Sequence, residues 1–233
     1  MTAPVTPVVV PGPAELAEAA ASWTAQRITS AVGERGACYM ALAGGETPRG
    51  CYERLAQPPY REALHWPSVF VYWSDERQVP LDDPGSNYAM ARAALLDQVP
   101  IPPEQVFPLV GDPTPALRRV PSDAAGRPRF DVIHLGLGED GHTASLFPGH
   151  PALREVRALI AAIHDAPKPP PERLTLTLPV INAARAVLFM VQGASKREAL
   201  VRVLRRDPAL PASRVQPLDG ELHFIVDHAA AGQ

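Results

Sequence analysis

The chain has 233 residues, of which 46% are hydrophobic and 20% charged, and this composition is typical of a soluble globular protein. A net charge of −3 and a pI near 6.2 disfavour nucleic acid and anionic membrane as partners. No apolar run approaches the roughly 20 residues of a membrane helix, and no basic residue precedes Arg27, as a secretory signal would require. We expect a cytoplasmic protein of one domain over residues 1–233, with Cys38 and Cys51 reduced.

Apolar, strand-like runs alternate along the chain with helical patterns. We predict strands at 8–10, 37–42, 69–73, 130–135, 158–163, 174–178, 186–191 and 223–226, and helices at 13–32, 47–56, 87–96 and 195–205. Such alternation is typical of an α/β fold, and we expect an open, mostly parallel twisted sheet with helices on both faces, Rossmann-like. Ligands of such sheets bind at the carboxyl ends of the strands, so the segments that follow strands are the candidates for chemistry.

The first candidate segment runs from Ala43 to Pro48 between a strand and a helix for which Thr47 is the predicted N-cap. Backbone N–H groups at a helix start attract anions, and two glycines allow a close backbone approach. We therefore expect Gly44, Gly45 and Thr47 to bind a phosphate, although a plain turn explains the segment equally well. Glu46 would repel a phosphate, so this hypothesis requires its carboxylate to point outward.

The second candidate segment is the charged run Asp75-Glu76-Arg77, which directly follows an apolar strand. A solvated turn is the ordinary explanation of such a run. Its position at the carboxyl edge of the sheet nevertheless favours one carboxylate or the guanidinium facing a pocket. Ser86 and Asn87, at the start of the next helix, are predicted to cap it and to hold this loop.

The third candidate segment, from Gly136 to Thr143, matches the G-x-G-x-x-G pattern of dinucleotide sites. That function is disfavoured because Pro148 soon interrupts any following helix and the segment lies in mid-chain. The alternative is a glycine-rich loop that brings Asp140 and His142 to one cavity, where a histidine is a suitable general base.

Two further cations and a histidine have predicted places in this arrangement. Arg173 and Lys196 each resemble a surface charge when taken singly, but together with the glycine turn they can bind a phosphate. His134 is expected in the core. No histidine or cysteine spacing indicates a zinc site, and we expect no metal.

These segments, in chain order, resemble the signatures of the 6-phosphogluconolactonase family. The resemblance rests on Gly44-Gly45-Glu46-Thr47-Pro48 with Tyr52 and Leu55, Asp75-Glu76-Arg77 with Ser86-Asn87-Tyr88, the stretch 135–149, Arg173-Leu174-Thr175 with Pro179 and Asn182, and 193–196. It covers residues 41–226, and the stretch 135–149 is its most specific part. Two features depart from the family pattern: Glu46 replaces a small residue, and the segment 112–129 is short and broken by prolines.

The resemblance implies hydrolysis of 6-phospho-D-glucono-1,5-lactone to 6-phospho-D-gluconate, in the oxidative pentose phosphate pathway, without a metal or organic cofactor. The related glucosamine-6-phosphate deaminases have a similar Asp-Gly-His loop with Glu five residues after the His. Phe147 occupies that position here and favours the lactonase. A non-catalytic sugar-phosphate sensor is a third hypothesis. We expect neither nucleic acid nor membrane as a partner, and a monomer or weak homo-oligomer.

Each candidate residue then has an expected role. The phosphate is bound by Gly44, Gly45, Thr47, Arg173 and Lys196. His142 acts as the general base on the water that attacks C1, and Asp140 orients its imidazole. Arg77, positioned by Asp75, stabilises the oxyanion or orients the sugar hydroxyls.

Overall fold

The computed structural model describes residues 5–233, and nine strands lie in this part of the chain. They are β1 (Val8–Val10), β2 (Cys38–Leu42), β3 (Val69–Trp73), β4 (Asp75–Arg77), β5 (Val132–Gly136), β6 (Ile160–Ile163), β7 (Arg173–Leu176), β8 (Ala186–Val191) and β9 (Glu221–Asp227). Six of them form one sheet in the order β1-β9-β8-β5-β2-β3, and every neighbouring pair in it is parallel. The predicted α/β fold with a mostly parallel sheet is therefore confirmed.

Both faces of this sheet are buried, which explains why its strands are mostly apolar. In β2, Met40 and Leu42 belong to one hydrophobic cluster, while Ala41 belongs to the other. Ile133 of β5 likewise packs on the side opposite to Val132. Alternate side chains thus supply two cores, as the two-residue period of a strand requires.

Eight α-helices are present in residues 5–233. They are α1 (Pro13–Arg35), α2 (Glu46–Leu55), α3 (Tyr60–Ala63), α4 (Asn87–Ala94), α5 (Thr114–Leu117), α6 (Leu178–Ile181), α7 (Arg197–Leu204) and α8 (His228–Ala231). No helix in this described part is long and apolar enough to cross a membrane. In the segment 112–129, α5 is a single turn, in agreement with its many prolines.

Three predicted elements differ from the structure. Strands β6 and β7 were expected in the parallel sheet, but with β4 they form a separate antiparallel sheet in the order β4-β7-β6. The run Asp75–Arg77 was expected in a loop and is instead strand β4. Neither outcome follows from local sequence, because strand pairing depends on distant residues: β6 and β7 pair with each other, and the charged run Asp75–Arg77 pairs with β7.

The predicted starts of two helices had different outcomes. Ser86 caps α4 as predicted, because its Oγ accepts a hydrogen bond from the backbone N–H of Ala89 at 3.2 Å. Thr47 is not an N-cap: α2 begins one residue earlier, at Glu46, and Gly45 is its N-cap without a side-chain bond. Gly45 has φ +100°, so the turn replaces side-chain capping with a backbone conformation that favours glycine.

Candidate active site

A cavity of about 440 Å³ opens at the carboxyl ends of β2, β5 and β8, next to β4. Eight of the nine predicted site residues line it: Gly44, Gly45, Thr47, Asp75, Arg77, His142, Arg173 and Lys196. The ninth, Asp140, contacts His142 from outside the lining. Segments as distant in the chain as the glycine turn and the histidine loop therefore meet in one place, as expected at this edge of a doubly wound sheet.

The turn between β2 and α2 is shaped for a close backbone approach. A Cβ on Gly44 would lie 1.8 Å from the Oδ1 of Asn87, so no side chain fits there. Glu46 lies at the first position of α2 and is 85% exposed, with its carboxylate 3.6 Å from the guanidinium of Arg49. Its carboxylate is thus paired at the surface of α2, although Glu46 also lines the cavity.

A buried polar network supports this turn from inside the protein. The hydroxyl of Tyr52 accepts a bond from the N–H of Ala43 at 2.9 Å and donates one to the carbonyl of the same residue at 3.1 Å. The Nδ1 of His134 is 3.4 Å from that hydroxyl, and its Nε2 is 2.9 Å from the Oγ1 of Thr24. Because the single hydroxyl proton of Tyr52 is already used, we assign the His134 proton to Nδ1.

His134 is completely buried, as the sequence predicted. Burial lowers its pKa to about 3, because a charged imidazole would lose its hydration. The neutral ring therefore acts as a fixed hydrogen-bonding link between α1 and α2, and Tyr52 passes that support to Ala43, which precedes the glycine pair.

The loop after β5 holds His142 against Asp140. The Nδ1 of His142 is 2.5 Å from the Oδ1 of Asp140, which also accepts the backbone N–H of His142 at 3.1 Å. Burial opposes ionisation of Asp140, but these bonds and the nearby imidazole together lower its pKa. Gly138 makes room for the pair, since a Cβ there would lie 2.0 Å from His142 Nδ1.

Asp75 is buried at the start of β4 and is held by two neighbours. The hydroxyl of Ser145 donates to its Oδ2 at 2.6 Å. The amide of Asn87 donates to its backbone carbonyl at 2.9 Å. The sequence had not indicated the contact with Ser145, which lies 70 residues away, whereas Asn87 holds this segment as the sequence predicted.

Glu76, next to Asp75, is fully buried and is a residue whose role the sequence did not reveal. It accepts hydrogen bonds from the backbone N–H groups of Arg77, Asn87 and Tyr88, each at 2.7 Å. Burial raises its pKa, although these three bonds oppose the rise. Glu76 therefore ties the first turn of α4 to β4, and the hydroxyl of Ser86, predicted to hold this segment, also donates to it at 3.2 Å.

Arg173 is buried rather than a surface charge. Its Nε donates to the carbonyl of Pro170 at 3.0 Å, and its Nη2 donates to that of Lys168 at 2.8 Å. Its guanidinium carbon lies 5.7 Å from the centroid of the Phe147 ring, which is 4.8 Å from the His142 ring. Burial lowers the pKa of Arg173, and the Asp75 carboxylate opposes that change.

The remaining cations of the cavity differ in how they are engaged. The Nη1 of Arg77 donates to the carbonyl of Gly85 at 2.6 Å. The ammonium of Lys196 is 3.5 Å from the Glu139 carboxylate. Lys168 also lines the cavity, and the sequence analysis had not singled it out. Within residues 5–233, no group of three or more His, Cys, Asp or Glu side chains is arranged to hold a metal ion.

The chain is similar to known proteins over most of its length. The family model described as glucosamine-6-phosphate isomerases/6-phosphogluconolactonase matches residues 11–224. The 6-phosphogluconolactonase of Rattus norvegicus is 41% identical over 96% of this chain and 91% of its own length, and that of Synechocystis is 44% identical over 88% of each chain. The solved 6-phosphogluconolactonase of Trypanosoma brucei is 29% identical, with a TM-score of 0.80 over 98% of each chain.

Fold and cavity together define a doubly wound α/β protein whose cavity combines a glycine turn, several cations and a histidine. The sequence matches then identify the particular group. The chain belongs to the glucosamine-6-phosphate isomerase/6-phosphogluconolactonase family.

Proposed function

We propose that this chain hydrolyses 6-phospho-D-glucono-1,5-lactone to 6-phospho-D-gluconate in the cytoplasm. The observation that carries the proposal is that His142, the Gly44–Gly45 turn and cationic side chains line one cavity. The relatives named 6-phosphogluconolactonase, at 41% and 44% identity, support this substrate.

The phosphate is bound at the end of the cavity formed by α2. The free N–H groups that follow Gly44 and Gly45 carry the positive end of the helix dipole, and Thr47 adds a hydroxyl. Arg173 and Lys196 contribute positive charge. Binding the phosphate orients the reacting carbon, and such orientation can lower a barrier by about 7 kcal/mol or more.

His142 acts as the general base. Its Nδ1 is engaged by Asp140, which leaves Nε2 to remove a proton from water as the water oxygen forms a bond to C1. The tetrahedral intermediate then collapses, the bond between C1 and the ring oxygen breaks, and the proton passes to that oxygen. Arg77, with Asp75 nearby, stabilises the developing negative charge.

Two other functions are possible on this fold, and specific residues distinguish them. A glucosamine-6-phosphate deaminase is disfavoured because Phe147, rather than a carboxylate, packs on the His142 ring at 4.8 Å. A sugar-phosphate sensor requires no general base, whereas here Asp140 and Gly138 fix the orientation of the imidazole.

The decisive experiment is a coupled assay with freshly generated 6-phosphogluconolactone, corrected for its spontaneous hydrolysis. The proposal expects protein-dependent hydrolysis, no release of ammonia from glucosamine 6-phosphate, and no ligand-dependent DNA binding. If the lactone is hydrolysed only at its spontaneous rate and glucosamine 6-phosphate releases ammonia, the chain is a deaminase rather than a lactonase. Sedimentation of the same preparation tests the predicted monomer or weak homo-oligomer.

A further inference from the structure

We propose that Lys168 is a specificity-determining residue that binds the phosphate of the substrate from the rim of the cavity. It lies on the loop between β6 and β7, which Arg173 holds in place. This inference rests on the proposed function and adds to it a cation that neither the motifs nor the mechanism above includes.

The distribution of lysine draws attention to this residue. The chain has 22 basic side chains, and only Lys168 and Lys196 among them are lysine. Both line the same cavity, although arginine fills the basic positions everywhere else. A lysine ammonium is a compact charge on a flexible stem, whereas a guanidinium is a planar fork. A flexible cation suits a phosphate that enters and leaves at the rim.

The loop that carries Lys168 is fixed by backbone contacts. The buried Arg173 side chain donates to the carbonyls of Lys168 and Pro170. Because the guanidinium donates two hydrogen bonds to carbonyls of one loop, it holds the backbone of that loop in one place. Lys168 therefore lines the cavity from a supported backbone.

Lys168 is also the least engaged cation of the cavity. Arg77, Arg173 and Lys196 each contact a carbonyl or a carboxylate. The Lys168 ammonium has no hydrogen bond or ion pair within residues 5–233, and it influences Glu139 only at longer range, helping to lower the pKa of that carboxyl. Its charge is therefore available to a ligand.

The charges of the lining support the same conclusion. Four cations line the cavity, and Asp75 and Glu46 are the two carboxylates among the lining residues. With His142 neutral, the lining carries a net charge of +2, which balances a phosphate dianion. Without Lys168 the net charge falls to +1.

The test compares Lys168→Met with Arg157→Met, which removes the same charge from an exposed position outside the cavity. Calorimetry measures the Kd of 6-phosphogluconate and of gluconate, and the coupled assay measures kcat and KM. Lys168→Met is expected to weaken 6-phosphogluconate binding and to raise KM by about 10-fold, with gluconate binding and kcat nearly unchanged. Arg157→Met is expected to behave as the wild type.

Each contrary result has a separate meaning. Equal affinity of wild type and Lys168→Met for 6-phosphogluconate overturns the inference, as does an equal loss in Arg157→Met. Binding by the wild type without lactone turnover overturns the proposed activity but leaves the role of Lys168 in phosphate binding intact. No binding by the wild type overturns the phosphate site, and with it the role of Lys168.

A double-mutant cycle tests the positioning role of Arg173. If Arg173 acts partly by holding the Lys168 loop, the losses in KM from Arg173→Gln and Lys168→Met are less than additive in the double variant. Fully additive losses would show that Arg173 acts independently of the loop.

Discussion

The imidazole Nδ1 of His142 lies 2.5 Å from the Oδ1 of Asp140, two residues earlier in the same loop. The lowered pKa of Asp140 keeps its carboxylate ionised, so this oxygen is an acceptor and we assign the ring proton to Nδ1. The second ring nitrogen, Nε2, is then the basic one. The short turn therefore fixes both the orientation of the ring and which of its nitrogens can accept a proton.

His142→Ala removes the proposed base without filling the cavity. We expect kcat for the phosphorylated lactone to fall by about 100- to 10,000-fold, while the Kd of 6-phosphogluconate stays near the wild-type value. The corrected coupled assay and calorimetry measure the two quantities. Turnover close to that of the wild type would show that another group activates the water.

Asp140→Asn tests the contribution of the orienting carboxylate. An amide can present its NH₂ group to Nδ1, which favours the wrong tautomer, so kcat is expected to fall by about 10-fold or more. The chain offers a matched control: Asp165 is 2.9 Å from His150 in an exposed pair outside the cavity. Asp165→Asn should leave kcat unchanged, and a similar loss in both variants would contradict the orienting role.

Gly138→Ala probes the space on which that pair depends. Its Cβ would lie 2.0 Å from His142 Nδ1 and 2.5 Å from Asp140 Oδ1, so the ring must move. We expect at least a 10-fold loss of kcat with a folded protein by circular dichroism. Gly33→Ala, in α1, is the control, because nothing lies within 4 Å of its Cβ. Wild-type kcat in Gly138→Ala would refute the steric argument.

Tyr52→Phe tests the support of the glycine turn. Loss of the hydroxyl leaves the N–H and carbonyl of Ala43 without these partners, which costs about 1–3 kcal/mol of unfolding free energy. Because Ala43 precedes the glycine pair, we expect a several-fold rise in KM with a smaller change in kcat. Tyr72→Phe removes a part-buried hydroxyl that donates to the carbonyl of Ala116 instead, and its KM should not change. A fall in stability with an unchanged KM would make Tyr52 purely structural.

The buried His134 predicts how stability depends on pH. The pKa of His134 is about 3 in the folded protein, below the ordinary value of about 6.5. As the pH falls, His134 is therefore protonated at a higher pH in the unfolded chain than in the folded protein. The stability linked to this group is therefore complete above about pH 6.5 and decreases as the pH falls towards 3, by up to about 1.4 kcal/mol per pH unit. Denaturant unfolding between pH 7 and pH 5 measures this slope. The slope should be shallower in His134→Gln, but not in His164→Gln, whose side chain is 73% exposed.

The strands of the main sheet could be predicted because each contains a run of mostly apolar residues, and local sequence is enough to indicate such strands. The pairing of Leu174 and Ala162 in a separate antiparallel sheet could not, because strand pairing depends on contacts between distant residues. Thr47 was misassigned as a cap for a related reason. The N-cap of helix α2 is a glycine, Gly45, that has a positive φ. A threonine side chain is the commoner way to cap a helix start, and for that reason Thr47 was chosen.

Within the site, residues that follow a strand were found, as was Asp140 beside His142, while supporting residues that are distant in the sequence were not. His142 and Arg77 lie in segments of unusual composition, which the sequence makes visible. Ser145 gave no such signal, since its contact with Asp75 joins residues 70 positions apart. Lys168 was missed because a lysine in a proline-rich loop is ordinary, and only the carbonyl contacts of Arg173 show that the loop is fixed.

Strand β1 is at one edge of the main sheet and pairs there with β9. Strand β1 therefore lacks this partner until residues 221–227 have been synthesised. Because β1 and β9 are more than 200 residues apart in the sequence, completion of this edge of the sheet is a late event in folding. Deleting β9 would thus remove the partner of β1 as well, so the main sheet would lose two strands rather than one.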